Sequence, residues 1–171
     1  MTKALFLDRD GTINVNYGYV FEPERFDFVD GIFDLCRAAK DAGYLLIVVS
    51  NQSGVARGYY TEAQMDACNA HMCAEFAKRG VVIDGVFCCT ALDDAHPDRK
   101  PNAGLFLKAI GRFGIDPAAS VAVGDSARDD VAARAAGVGR SFLLTQTQTL
   151  DDVRRTLFDK PPSSVPSHFM I

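Results

Sequence analysis

The 171-residue sequence predicts an α/β fold, a Rossmann-like parallel sheet with helices on both faces. Three observations carry this reading. Short, almost continuously apolar runs alternate with amphipathic stretches of helical period nearly to the end of the chain, the pattern of strands buried on both faces and covered by crossover helices. Glycines punctuate the alternation, with Gly43, Gly80 and Gly114 placed where helical stretches should stop. Finally, the residues richest in chemistry follow directly on the ends of apolar runs, the edge at which open parallel sheets bind ligands.

Ala4-Leu5-Phe6-Leu7 is the first strand and ends in Asp8-Arg9-Asp10-Gly11-Thr12. Carboxylates two positions apart leave the same side of a pleat, and Gly11 lets the chain turn sharply behind them. A helix over 31–42 leads to a strand at 45–50, which ends in Ser50-Asn51-Gln52-Ser53-Gly54. The next helix, 61–79, opens on Thr61 with Gln64 three residues on, a capping box. It carries Met65, Cys68, Met72 and Phe76 as one apolar stripe, a core face.

A strand at 82–88 and a helix at 102–113, with Phe106, Ala109, Ile110 and Phe113 as its stripe, come next. Pro101 is expected to set Lys100 at the start of that helix, facing the crevice. The strand at 120–124 ends in Gly124-Asp125-Ser126, with Asp129 and Asp130 following in a helix at 127–137. A strand at 141–145 and a helix at 149–158 complete the pattern. A single domain over residues 1–160 is expected. Residues 161–171, with Pro161, Pro162, Ser163, Ser164 and Pro166, have the composition of a flexible tail. Two connections, 13–30 and 89–100, are long and emerge at the carboxyl edge, so both are expected to wall a pocket. Neither is large enough for a separate lid domain.

Composition excludes several classes. A net charge of -4 and a pI near 5.3, with no Lys/Arg run, argue against a nucleic-acid partner. No apolar run approaches the roughly 18 residues of a membrane span, and no signal-peptide apolar region follows Met1, so a cytoplasmic monomer is expected. The five cysteines, Cys36, Cys68, Cys73, Cys88 and Cys89, have no regular spacing and read as reduced thiols, Cys36 and Cys68 on buried helix faces.

Four polar clusters at one sheet edge suit phosphoryl chemistry, in which catalysis is mostly positioning and charge stabilisation. Asp8 is the candidate nucleophile, since a carboxylate can attack phosphorus to give an acyl phosphate. Asp10, on the same side, is the candidate acid/base. Asp125 would complete an oxygen set for Mg²⁺, and Ser50 and Lys100 would hold the remaining phosphoryl oxygens.

Asp8-Arg9-Asp10-Gly11-Thr12, Ser50, Lys100 and Gly124-Asp125-Ser126 resemble the four ordered motifs of the haloacid dehalogenase (HAD) phosphohydrolases. With Gly18-Tyr19-Val20, Ser50 to Gly58 and Arg99-Lys100-Pro101 the resemblance narrows to the D-glycero-D-manno-heptose 1,7-bisphosphate phosphatases, over roughly residues 3–145. Histidinol-phosphate phosphatases share much of this set and stay open as an alternative. The resemblance implies a HAD fold without a cap domain, a phosphoryl-enzyme on Asp8 and a phosphorylated sugar as partner. It places Mg²⁺ on Asp8, Asp10 and Asp125, with the backbone carbonyl of Asp10 as a further ligand. It also implies substrate contacts from Asn16, Tyr17, Gly18, Tyr19, Asn51, Gln52, Ser53, Arg99 and Ser126.

One segment departs from that family. Relatives carry a zinc loop of C-x-H then C-x-C before the Arg-Lys-Pro. Here Cys88-Cys89 to Arg99 is shorter and lacks the second cysteine pair, leaving two or three ligands where structural zinc takes four, so no zinc is expected. A phosphoacceptor receiver module is the non-enzyme alternative. It would place its acidic pair and its phosphorylated aspartate on different strands, whereas Asp8 and Asp10 share one.

Overall fold

The computed structural model describes residues 1–159. The strands are β1 (Lys3–Leu7), β2 (Tyr44–Asn51), β3 (Gly85–Cys89), β4 (Val121–Gly124) and β5 (Arg140–Leu143). The helices are α1 (Ile32–Asp41), α2 (Glu62–Lys78), α3 (Gly104–Phe113), α4 (Ala127–Ala135) and α5 (Leu150–Phe158). All strand pairings are parallel, in the order β3-β2-β1-β4-β5. The direction of winding reverses between β1 and β4, so the crevice of the sheet opens where those two strands end.

Side-chain alternation assigns the two faces. Leu5, Leu7, Leu46, Val48, Val121 and Val123 meet α1, α2 and α5. Ala4, Phe6, Ile47, Val49 and Ala122 meet α3 and α4. Each buried Leu, Ile, Val or Phe among them contributes about 1.5–3 kcal/mol by leaving water, which makes the central strands a rigid floor for whatever they carry at their ends.

The expected α/β fold is the one observed. The Thr61–Gln64 capping box forms, and the Met65, Cys68, Met72, Phe76 stripe is buried. Most boundaries move by one or two residues, and three of the shifts have an identifiable cause. The third strand begins at Gly85 rather than 82: the Asp84 carboxylate accepts the Leu46 N–H at 2.9 Å and pairs with Lys40, doing with a side chain what strand backbone would do. The third helix begins at Gly104, not 102. The Asn102 amide donates to the carbonyls of Asp94 and His96, and Asn102 N–H donates to Arg99, which holds a turn. Pro101 therefore sits in that turn after a cis peptide, and Lys100 precedes the helix by four residues instead of starting it. The final strand ends at Leu143, because Thr145 is taken up in a turn with Thr147 and Gln148. The expected tail, 161–171, lies outside the described residues. No described helix is long and apolar enough to cross a membrane.

Candidate active site

Asp8 is placed by the sheet itself. Its N–H donates to Val123 at 3.1 Å, extending the β1–β4 ladder one residue beyond the strand. Asp125 follows β4 at the other side of the switch point. The turn after Asp8 passes so close to Asp125 that a Cβ on Gly11 would lie 1.9 Å from its carboxylate, and Gly11 has φ +92°. Only glycine meets both conditions.

Lys100 reaches between them from the loop before α3. Its ammonium donates to Asp8 Oδ1 at 2.9 Å, Asp129 Oδ1 at 2.6 Å and the Val49 carbonyl at 2.7 Å, so all three protons are used. Burial alone would push this lysine down, but Asp8 and Asp129 overcome it and hold the ammonium above the ordinary lysine value. Burial likewise pushes the Asp8 carboxyl well above the usual carboxylate range, with Lys100 opposing and Asp129 adding to the rise. Burial also raises Asp125.

Asn51 fixes the lysine's backbone. Its side-chain amide donates to Lys100 O and accepts from Lys100 N, each at 3.0 Å. The amide expected to touch substrate is thus committed to a clamp. Ser50 is buried, with its hydroxyl accepting from Gln52 Nε2 at 2.8 Å.

The carboxylates that gather differ from the expected set. Among the described residues, ligand oxygens of Asp8, Asp125 and Asp129 lie within 4.8 Å of one another. Asp10 is turned away from them. Its Oδ1 accepts from Asn14 at 2.9 Å, its Oδ2 from Gln52 at 2.8 Å, and Arg9 approaches both at 3.2 and 3.3 Å. With donors on both oxygens, this side chain is committed to the protein rather than to the carboxylate cluster. Asp129 is also partly committed, to Lys100 and to the Ser126 N–H of the α4 capping box.

Asp8, Asp10, Lys100, Asp125 and Asp129 line a cavity of about 420 Å³, whereas Ser50, expected to hold a phosphoryl oxygen, lies behind its wall. Of the expected contact residues, Asn16, Gly18, Tyr19, Gln52, Ser53, Arg99 and Ser126 line it, as does the edge of Asn51. Tyr17 does not: its hydroxyl donates to Asp27 at 2.6 Å and Arg25 stacks on its ring, so it braces its own loop. Segment 89–100 contributes only Arg99 and Lys100 to the wall, since the rest closes on itself. There Asp93 accepts Ala95 N–H, His96 accepts Asp98 N–H, and Asp94 accepts from Arg99 Nε at 3.0 Å. Cys89 Sγ is 3.9 Å from the same His96 nitrogen.

The sequence reading missed Arg57, Tyr60, Arg128 and Asp129 as parts of the site. Asp129 carried a signal, one turn after Asp125 at a helix start. Tyr60 carried none.

An aspartate at a sheet switch point, a buried lysine bonded to it and further carboxylates beside them define a hydrolase of phosphate esters. The chain matches the haloacid dehalogenase-like hydrolases over residues 13–137 and belongs to that family. It is 44% identical over 153 residues to D-glycero-beta-D-manno-heptose-1,7-bisphosphate 7-phosphatase of Yersinia pestis, covering 82% of this chain and 79% of that protein. It is 47% identical over 154 residues to D-glycero-alpha-D-manno-heptose-1,7-bisphosphate 7-phosphatase of Burkholderia mallei, covering 83% and 79%. The crystal structure of D,D-heptose 1,7-bisphosphate phosphatase from B. bronchiseptica, complexed with magnesium and phosphate, superposes with a TM-score of 0.82 at 30% identity, covering 91% of this chain and 98% of that one. The protein is a phosphatase.

Proposed function

We propose that this phosphatase removes the 7-phosphate of D-glycero-D-manno-heptose 1,7-bisphosphate through an aspartyl phosphate on Asp8, with Mg²⁺ as cofactor. The observation that carries the reading is the pairing within one cavity of the Asp8–Lys100 contact, 2.9 Å, with a wall bearing Arg57, Arg99 and Arg128. A bisphosphate has two anionic ends, and this cavity offers cations for both. The named activities of the relatives point to the same substrate.

Three carboxylates within 4.8 Å of one another, two of them pushed up by burial, form a donor set that a divalent cation relieves. Asp8, Asp125 and the Asp10 carbonyl would hold it, with Asp129 behind. When bound it supplies positive charge against the phosphoryl oxygens. A carboxylate oxygen of Asp8 attacks phosphorus while the bond to the sugar oxygen breaks, and a proton from Asp10 passes to that oxygen. Water then attacks the aspartyl phosphate, Asp10 takes a proton from it, and the bond to Asp8 breaks to release phosphate. Lys100 keeps Asp8 oriented throughout. The self-closed loop around Asp93, Asp94 and His96 supports a site without zinc.

The test is phosphate release from a panel of the heptose bisphosphate, other sugar bisphosphates, sugar monophosphates and histidinol phosphate, with Mg²⁺. The highest kcat/KM is expected for the heptose bisphosphate. A preference for histidinol phosphate would replace the substrate while leaving the chemistry.

A further inference from the structure

Behind the site runs a buried polar network that the reaction, as described, leaves without a role. Arg9 is fully enclosed. Its NH1 donates to Asn69 on α2 at 2.9 Å, and its NH2 meets Asp10, the Val20 carbonyl and Gln52 Oε1, the last at 3.3 Å. The Tyr60 hydroxyl also donates to Gln52 Oε1. From its other end, Gln52 Nε2 donates to Asp10 Oδ2 and to Ser50 Oγ, both at 2.8 Å.

We propose that Tyr60 is a positioning residue for the acid/base Asp10, acting through the side-chain amide of Gln52. The inference rests on the proposed role of Asp10. A primary amide has two ends of nearly equal shape and opposite polarity. With the nitrogen inward it donates to the carboxylate and to Ser50. Flipped, it would set a carbonyl oxygen against the Asp10 carboxylate and N–H groups against a guanidinium. Arg9 is a weak donor to Oε1, because its NH2 lies 3.3 Å from it and is taken up more closely by the Val20 carbonyl at 2.5 Å. The Asp10 carboxylate, which can only accept, selects the nitrogen, and the Tyr60 hydroxyl gives Oε1 its own donor and anchors that end of the amide in place.

The ring is held where this requires. Phe21 stacks on it with centroids 5.1 Å apart and planes 18° from parallel. On another side the chain passes so close at Gly54 that a Cβ there would lie 2.1 Å from the ring. These packing contacts survive in Tyr60→Phe, which deletes only the hydroxyl.

A general acid matters most when the leaving oxygen is basic, so the readout is leaving-group dependence. Phenyl phosphate needs its oxygen protonated, whereas 4-nitrophenyl phosphate departs without help. In Tyr60→Phe, kcat/KM for phenyl phosphate, which reports formation of the aspartyl phosphate and not its hydrolysis, should fall roughly tenfold to a hundredfold, the scale of a misplaced reacting group. The value for 4-nitrophenyl phosphate should fall by a clearly smaller factor, with the fold kept as judged by circular dichroism, since the ring packing remains. Gln52→Met should give the same selective loss, and adding Tyr60→Phe to it should cost nothing further. Equal loss of kcat/KM on both esters, no loss, or additive losses in the double variant would each overturn the proposal. Asp10→Asn separates the two levels: it should lose phenyl phosphate turnover more steeply than 4-nitrophenyl phosphate turnover. If it does and Tyr60→Phe does not, the positioning role alone fails. If Asp10→Asn leaves both esters untouched, the acid/base reading fails and the positioning role goes with it.

Discussion

A lysine ammonium enclosed at Lys100 is tolerable because Asp8, Asp129 and the Val49 carbonyl each take one of its protons. Arg99 is held differently: its Nε donates to Asp94 and its NH1 to the Ala91 carbonyl, while the fork still lines the cavity. A planar guanidinium suits the far phosphate of a bisphosphate better than an ammonium does. Arg99→Ala should therefore lower kcat/KM strongly for the heptose bisphosphate and little for a small phosphoester that never reaches it. Measuring both substrates in both proteins decides this, and equal loss would move Arg99 into general phosphoryl stabilisation. Tyr60 gives a second residue-level test. Burial pushes its phenol up to about 12 from an ordinary 10.0. The native state then holds that proton more tightly than the unfolded chain does. Its contribution to stability is complete below pH 10 and is lost as pH rises through about 12. The ultraviolet phenolate titration of wild type minus Tyr60→Phe should show one group ionising well above pH 10, and a midpoint at 10 or below would contradict it.

At the scale of elements, α2 joins core and site, burying Phe76 against Phe28 and Phe33 while Asn69 holds Arg9. Phe76→Ala should cost about 3–5 kcal/mol of unfolding free energy, as other large core truncations do. Chemical denaturation measures it, and a loss under about 1 kcal/mol would mean the stripe is not the core face described. The 89–99 loop makes another prediction: protein purified without chelator should carry no zinc by elemental analysis, and stoichiometric metal lost on mutating Cys89 or His96 would overturn that. The helices were legible in the sequence because their signals are local, as in the Thr61–Gln64 box and the Met65-to-Phe76 stripe. The start of β3 and the turn before α3 were not. The first depends on Asp84 meeting Leu46 from far along the chain, and the second on Asn102 donating to the carbonyls of Asp94 and His96, a side-chain contact that hydrophobic periodicity does not record.

For the whole molecule, the order β3-β2-β1-β4-β5 turns four separate strand ends into one site. Asp8, Asp125 and Lys100 could be picked out beforehand because each follows an apolar run or sits in a recognisable motif. Asp129 could be placed only by its position one turn after Asp125, its pairing with Lys100 emerging when the sheet brings the two segments together, and Tyr60 meets Gln52 only through the turn that joins them. The same closeness explains why Asp10 faces amide and guanidinium donors rather than the other carboxylates. The central claim is that Asp8 is the nucleophile of a Mg²⁺-dependent phosphatase. Its most direct test is phosphate release from D-glycero-D-manno-heptose 1,7-bisphosphate by wild type and Asp8→Asn, with Mg²⁺ present and circular dichroism verifying the fold. Wild type should turn over only with the metal, and the folded Asp8→Asn variant should release no phosphate above background. A folded Asp8→Asn variant turning over at the wild-type rate would contradict the account.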